Sequence, residues 1–345
     1  MIHALNSGAF SARIPREFLR QHEGKFWVDQ AAVYRYLVDN AVLREDAARE
    51  VQEAVTRVAR RDLVAVADVR AAGLTVTLRN IGVTLYEFDR ITPVGEATQS
   101  MSILNLGDRD LVTFIRGAVP VPVTASQFEM DARMAAAGGG ANGGSVSMTN
   151  IEEHTRSVAE KLEDTLVNGS DVVLDANTLP GYTTLSTRET LSFTQGAWSS
   201  ATGLTGAIAD VIAARGALRD NGFTGPYILY LPTNFDGVLD DDYKAESDRT
   251  LRERLLAMDG IAQVKVLPSL ADDNVLLVQM TRSVVEMPIG QDITTVTWDL
   301  MGGLATRWAI LGVITFALKA SAVRNPLSAG VLPALTTGSG IVHIS

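Results

Sequence analysis

A break in the alternating segment constrains this chain most. From Leu63 to Val123 the apolar pattern has a period of two, in LTVTLRNIGVTLYEF and DLVTFIRGAVPVPVT, with glycines at 73, 82, 95, 107 and 117. Alternating β-branched residues punctuated by glycine read as long strands and hairpins. Between the two runs lies VGEATQSMSILNLGDRD, a polar stretch flanked by strand signals. The pattern predicts an extended two-stranded loop with little core of its own. An isolated hairpin is marginal in water, so this one needs another surface to lie on.

The flanking segments predict helices and further strands. Residues 28 to 61 read as two helices; the second, Arg44 to Arg61, puts Ala47, Ala48, Val51, Ala54, Val55, Val58 and Ala59 on one stripe. Glu45 and Asp46 open it and Arg57, Arg60 and Arg61 close it, matched to the helix dipole. MAAAGGGANGGSVSM, residues 134 to 148, reads as a flexible linker. It is no phosphate-binding loop, since Gly143 is followed by Gly144 and Ser145 where such a loop needs Gly-Lys-Ser/Thr. The strongest helix signal is Asn150 to Asn168, with Thr149 or Asn150 as cap, a stripe of Ile151, Val158, Ala159, Leu162 and Leu166, and Gly169 as the stop.

Residues 170 to 203 are turn-rich. A helix at Gly206 to Asn221, a buried strand YILYL at Tyr227 to Leu231, a helix at Leu251 to Met258, strands at Val264 to Leu267 and Val275 to Met280, and a turn at Gly290 make a mixed unit. From Thr294 onward VTWDL and LATRWAILGVITFALKASAV read as strands returning to the first unit, and the tail after Pro326 carries little signal. The fold class is α+β.

Composition narrows the function. At 345 residues the chain is long enough for roughly two domains. With no cysteine it has no disulfide, thiolate metal site or cysteine nucleophile. A net charge of −10 with scattered basic residues lacks the footprint of a nucleic-acid-binding domain. Of 30 basic residues only Lys25, Lys161, Lys244, Lys265 and Lys319 are lysines; the arginine excess suits extensive protein–protein contacts. The first residues do not read as a signal peptide, and Trp308 to Leu318 is too short to span a bilayer.

His3, His22, His154 and His343 have no ligand spacing, and Asp236, Asp240, Asp241 and Asp242 lack the pattern of a calcium loop and read as a solvated loop. No Gly-x-Ser-x-Gly elbow occurs. The expectation is a protein that is not an enzyme, with no cofactor, no metal and no catalytic residue.

In order, the parts are a helical arm, a long hairpin loop, a long helix, an α/β unit and returning strands. This series resembles the Hong Kong 97-type capsid fold with its N-arm, E-loop, spine helix of the P-domain and A-domain. RRDLVAVADVRAAG (60 to 73), VPVPVTASQFEMD (119 to 131), IEEHTRSVAEKLEDTLVNG (151 to 169), DNGFTGPYILYLP (220 to 232), RERLLAMDGIAQVKVLPSL (252 to 270) and VEMPIGQDITTVTWD (285 to 299) are similar to the branch shared by encapsulins and encapsulin-like phage capsid proteins.

The resemblance implies an N-terminal arm at 1–62, the E-loop and flanking strands at 63–125, P-domain segments at 126–203 and 291–325, an A-domain at 204–290, and a tail at 326–345. It implies a major capsid protein of a tailed bacteriophage, whose pentamers and hexamers close an icosahedral shell around double-stranded DNA without reading its sequence. The expected partners are further copies of the chain, with portal, scaffold and cement or decoration proteins, and no membrane. The expected location is the virion, after assembly in the host bacterial cytoplasm. The alternative is an encapsulin-type compartment enclosing a cargo enzyme.

A longer arm before Arg60, a longer loop from Tyr86 to Arg116 and the glycine-rich insert favour the phage reading. Tyr86 to Arg116 contains no lysine, so a shell without lysine cross-links is expected. Glu87, Arg90, Glu96, Arg109 and Arg116 are the expected inter-subunit contacts, because a hairpin without a core needs a partner.

Overall fold

The computed structural model describes residues 51–58, 63–91, 101, 111, 114–131, 145–241, 249–301, 305–324 and 335–345. Helical residues 51–58 (α1) bury Val51, Ala54 and Val55. There follow α2 (Ala65–Ala71), β1 (Thr75–Thr77), β2 (Leu85–Ile91), β3 (Phe114–Pro120), β4 (Val123–Asp131) and α3 (Ser145–Asn168). Next come β5 (Ser170–Leu174), β6 (Asn177–Leu179), β7 (Glu189–Leu191), α4 (Ala201–Asp220), β8 (Tyr227–Leu231), α5 (Leu251–Leu256), β9 (Ile261–Val266) and β10 (Val275–Gln279). The chain closes with β11 (Val285–Leu300), β12 (Ala305–Ile314), β13 (Ala317–Leu318), β14 (Ala320–Arg324), β15 (Leu335–Ser339) and β16 (Ile341–Ile344).

The first of two five-stranded sheets has the order β1-β11-β12-β4, with β13 paired to β11. α3 lies across its β4 and β12 strands. There Phe128 of β4 stacks between His154 of α3, 4.9 Å away, and Trp308 of β12, 6.0 Å away, and Ser126 is hydrogen-bonded to His154 Nδ1 at 2.7 Å. The second sheet has the order β7-β16-β10-β8-β9. All residues of β8, β10 and β16 are buried, as expected for strands covered on both faces. Three hairpins, β2–β3, β5–β6 and β14–β15, stand outside both sheets.

α3 follows its apolar stripe: Ile151, Val158, Ala159, Leu162 and Leu166 are all buried. It begins at Ser145, inside the segment expected to be linker; the remainder of that segment, 134–144, lies outside the described residues. Gly169 ends it at φ +85°, and a Cβ there would stand 2.7 Å from the Leu179 carbonyl oxygen, so only glycine fits. α4 buries Ala207, Val211, Ala214 and Leu218, one face of a helix, and extends five residues N-terminal to its expected start.

Three expectations need correction. The period of two does not begin at Leu63, because residues 65–71 are helical. Glu163 of α3 accepts the backbone N–H groups of Val64, Ala65 and Val66 at 3.2, 2.6 and 3.2 Å, satisfying donors that open the helix. Nor does the chain turn at Gly290. β11 runs straight through it with register shifts on either side of Gln291, and a Cβ at Gly290 would lie 3.1 Å from Val313 Cγ1. The tail is also not featureless: β15 pairs with β14, and β16 is an inner strand of the second sheet, between β7 and β10.

Candidate assembly surface

β2 and β3 pair antiparallel from Leu85 opposite Pro120 to Ile91 opposite Phe114. The alternation puts Tyr86, Phe88, Arg90, Ile115, Gly117 and Val119 on one face and Glu87, Asp89, Phe114, Arg116 and Ala118 on the other. Only the root of the first face is covered. Val119 joins Leu179 of β6 and Ala317 of β13 in a small cluster, with Tyr86 and Phe88 packed against it. Distally Ile115 is 47% and Phe114 65% exposed. Burial of apolar surface is what stabilises β-structure in water, and this hairpin leaves much of its own uncovered.

The root is also tied by charge. The Tyr86 hydroxyl donates to Glu286 Oε2 at 2.8 Å, and Lys319 Nζ stands 2.8 Å from Glu286 Oε1. Arg282 Nε is 3.9 Å from the same oxygen, and Lys319 lies 5.6 Å from the Phe88 ring centre. Burial, with the bond to Glu286, pushes the Tyr86 hydroxyl up to about 12.

The expected contact residues divide. Arg116 pairs within the hairpin, its guanidinium 3.2 Å from Glu87 Oε2 and 3.6 Å from Asp89 Oδ1, all three side chains more than half exposed. Arg90 is half-buried on the opposite face, so the structure does not bring it to that cluster. Glu96 and Arg109 lie outside the described residues. Sequence reasoning missed Tyr86, Glu286 and Lys319. The i, i+2 alternation places Tyr86 and Phe88 on a common face, but nothing local points to residues 200 positions away.

A second polar node joins α2 to the second sheet. Asp68 of α2 accepts from the Tyr230 hydroxyl of β8 at 2.9 Å and pairs with Lys265 of β9. Burial pushes the Glu163 carboxyl up, against the three backbone N–H groups that pull it down. The Tyr182 and Tyr230 hydroxyls are driven far up, by burial first and then by the negative charge nearby. In the Asp236 cluster Arg252 stands 3.5 Å from Asp236 and 3.7 Å from Asp240; Asp242 is outside the described residues. Among the described residues no three acidic or histidine side chains converge as metal ligands, and no helix is long and apolar enough to cross a membrane.

Two packed units, a long helix across one sheet and a hairpin thrown clear of both are the Hong Kong 97-type fold of solved shell subunits. The subunit of a virus-like particle from Pyrococcus furiosus is similar with a TM-score of 0.58, at 14% identity, over 86% of this chain and 98% of that one. The capsid of Myoviridae phage XM1 gives 0.59 at 12% identity, over 80% and 90% of the two chains. The capsid of a native GTA particle gives 0.56 at 12% identity, over 88% and 91%. At this identity the likeness establishes the fold, and it bears out the resemblance carried by the sequence. Residues 38–299 match the model of DUF6260, a family of unknown function, and the chain belongs to that family. No curated protein matches it.

Proposed function

We propose that this chain is the major capsid protein of a tailed bacteriophage, assembling through pentamers and hexamers into an icosahedral shell around double-stranded DNA. The observation that carries the reading is the hairpin β2–β3, which projects with Phe114 and Ile115 exposed and only a three-residue cluster at its root. Such an element gains its remaining stabilisation from a neighbouring copy. On this reading the second sheet and its helices form the A-domain, joined by β16 from the tail. The first sheet and α3 form the P-domain, and Glu87 and Arg116 exchange their mutual contact for one across the subunit boundary. Exposed pairs contribute only about 0–1 kcal/mol each, so their effect comes from repetition around the shell. An acidic chain suits a container that encloses DNA without gripping its phosphates. Portal, scaffold and cement or decoration proteins are the partners that fit this role.

The test is to express the full chain alone and image it by electron microscopy. Closed shells, or sheets and tubes of hexamers, are expected, running as a single monomer band on a denaturing gel because the hairpin segment has no lysine to cross-link. A monomer under all conditions overturns the proposal, and a ladder of covalent oligomers overturns the uncross-linked shell. The second reading is the alternative carried by the sequence resemblance, a compartment that holds a cargo enzyme. Neighbouring genes separate the two: portal and terminase genes support the capsid, a cargo-enzyme gene the compartment.

A further inference from the structure

A single carboxylate holds the root of the projecting hairpin. Glu286 is the second residue of β11 and only 5% exposed, so its charge depends on the groups that face it: Arg282, its side chain 63% exposed and 3.9 Å away, and two nearer ones. One is the Tyr86 hydroxyl from β2, donating to Oε2 at 2.8 Å. The other is Lys319, between β13 and β14, 2.8 Å from Oε1 with its side chain 17% exposed. Lys319 also lies 5.6 Å from the Phe88 ring centre, so both inward side chains at the base of β2 are tied to one acid and one base.

The other root contacts are apolar, from Val119, Leu179 and Ala317, apart from the buried Thr315 hydroxyl, which donates to the Pro120 carbonyl at the end of β3 at 2.7 Å. Apolar contact is non-directional and tolerates sliding, whereas a charge-assisted hydrogen bond has a short length and a preferred angle. The cluster therefore keeps the hairpin attached; Thr315 pins the end of β3, and Glu286, the charged group that accepts the hydrogen bond from β2, decides how the hairpin is turned. Gly117 is part of the same arrangement. It stands opposite Phe88, and a Cβ there would be 2.9 Å from the ring, so its absence lets the ring lie over β3 beside Lys319.

We infer that Glu286 is a positioning residue for assembly, which with Tyr86 and Lys319 fixes the angle at which the hairpin leaves the body and hence the curvature of the particle. The inference rests on the shell reading above. A contact between identical copies closes a ring only if its rotation is right, so a small error in one angle is repeated at every contact and changes the size at which the assembly closes.

The experiment compares the full chain with Tyr86→Phe and Lys319→Met. It reads amide hydrogen exchange over residues 85–91 and 114–120 and the particle diameter by electron microscopy. Tyr86→Phe keeps the ring and removes only the donor. Exchange in both hairpin strands should rise about tenfold, the factor equivalent to about 1.4 kcal/mol, while β8 and β10 stay protected and diameters shift or spread. Lys319→Met, which leaves the buried carboxylate with only the more distant and exposed Arg282 as a cation, should loosen the same strands further. If it does not fold, Tyr86→Phe decides alone. Unchanged exchange in Tyr86→Phe overturns the inference, as does faster exchange with wild-type diameters. If the wild-type chain makes no particles the shell reading fails, and the exchange measurement still decides whether Glu286 fixes the root.

Discussion

The strands β8 and β10 and the hairpin β2–β3 are all regular antiparallel β-structure, yet they are stabilised in opposite ways. All ten residues of β8 and β10 are buried, with Ile228, Leu229, Leu276 and Leu277 packed into one continuous core. The hairpin shares only its root with the body, and its strand β3 runs from buried Pro120 to exposed Phe114. Among the described residues β8 and β10 are paired on both edges and each hairpin strand on one only, and the side chains differ in the same way in where they find their neighbours. The sheet finds them within the chain, while the hairpin leaves Phe114 and Ile115 exposed.

The largest effect should come from breaking the self-sufficient side. Leu229→Ala removes a fully buried side chain from an inner strand and should cost about 2–5 kcal/mol, lowering the urea midpoint of the isolated subunit. A loss under about 1 kcal/mol would mean that this sheet is not the stable part. Gly117→Ala should act at the root alone. Its Cβ must displace Phe88, at about 1–3 kcal/mol of local strain. Faster proteolysis of the hairpin is expected, with a smaller midpoint shift than Leu229→Ala; equal shifts would show that hairpin and body unfold together. The smallest effect on the subunit should follow from Arg116→Glu, which sets a third carboxylate beside Glu87 and Asp89. Because all three side chains are exposed, a change of about 0–1 kcal/mol is expected and the melting curve should barely move. Particle yield should nevertheless fall, and wild-type yield would remove Arg116 from the assembly contacts.

The same contrast governs what could be read from the sequence. α3 was legible because its stripe and its glycine stop lie within one run of residues, and β8 because YILYL is short, apolar and bounded by turn signals. α2 was not, since its opening N–H groups are satisfied by Glu163, 98 positions from Ala65. No window around Leu63 contains that carboxylate. β11 was split at Gly290 because glycine usually breaks a strand, and its actual use, close approach to Val313, shows only when β12 is in place. At the candidate surface the exposed charges Glu87 and Arg116 could be named from their own segment. The Glu286 and Lys319 that hold it could not, because the chain brings them there from the far end of the first sheet.

β16 bears on when this molecule can be finished. Its residues Ile341–Ile344 lie between β10 and β7, whereas β10 ends at Gln279, 62 residues earlier (341 minus 279). At about 5–20 residues per second a ribosome needs roughly 3–12 s to cover that distance. Throughout that interval β10 has an open edge where β16 will pair, so the second sheet cannot close on a nascent chain. The second sheet is thus completed only after the segment through Ile344 has been made.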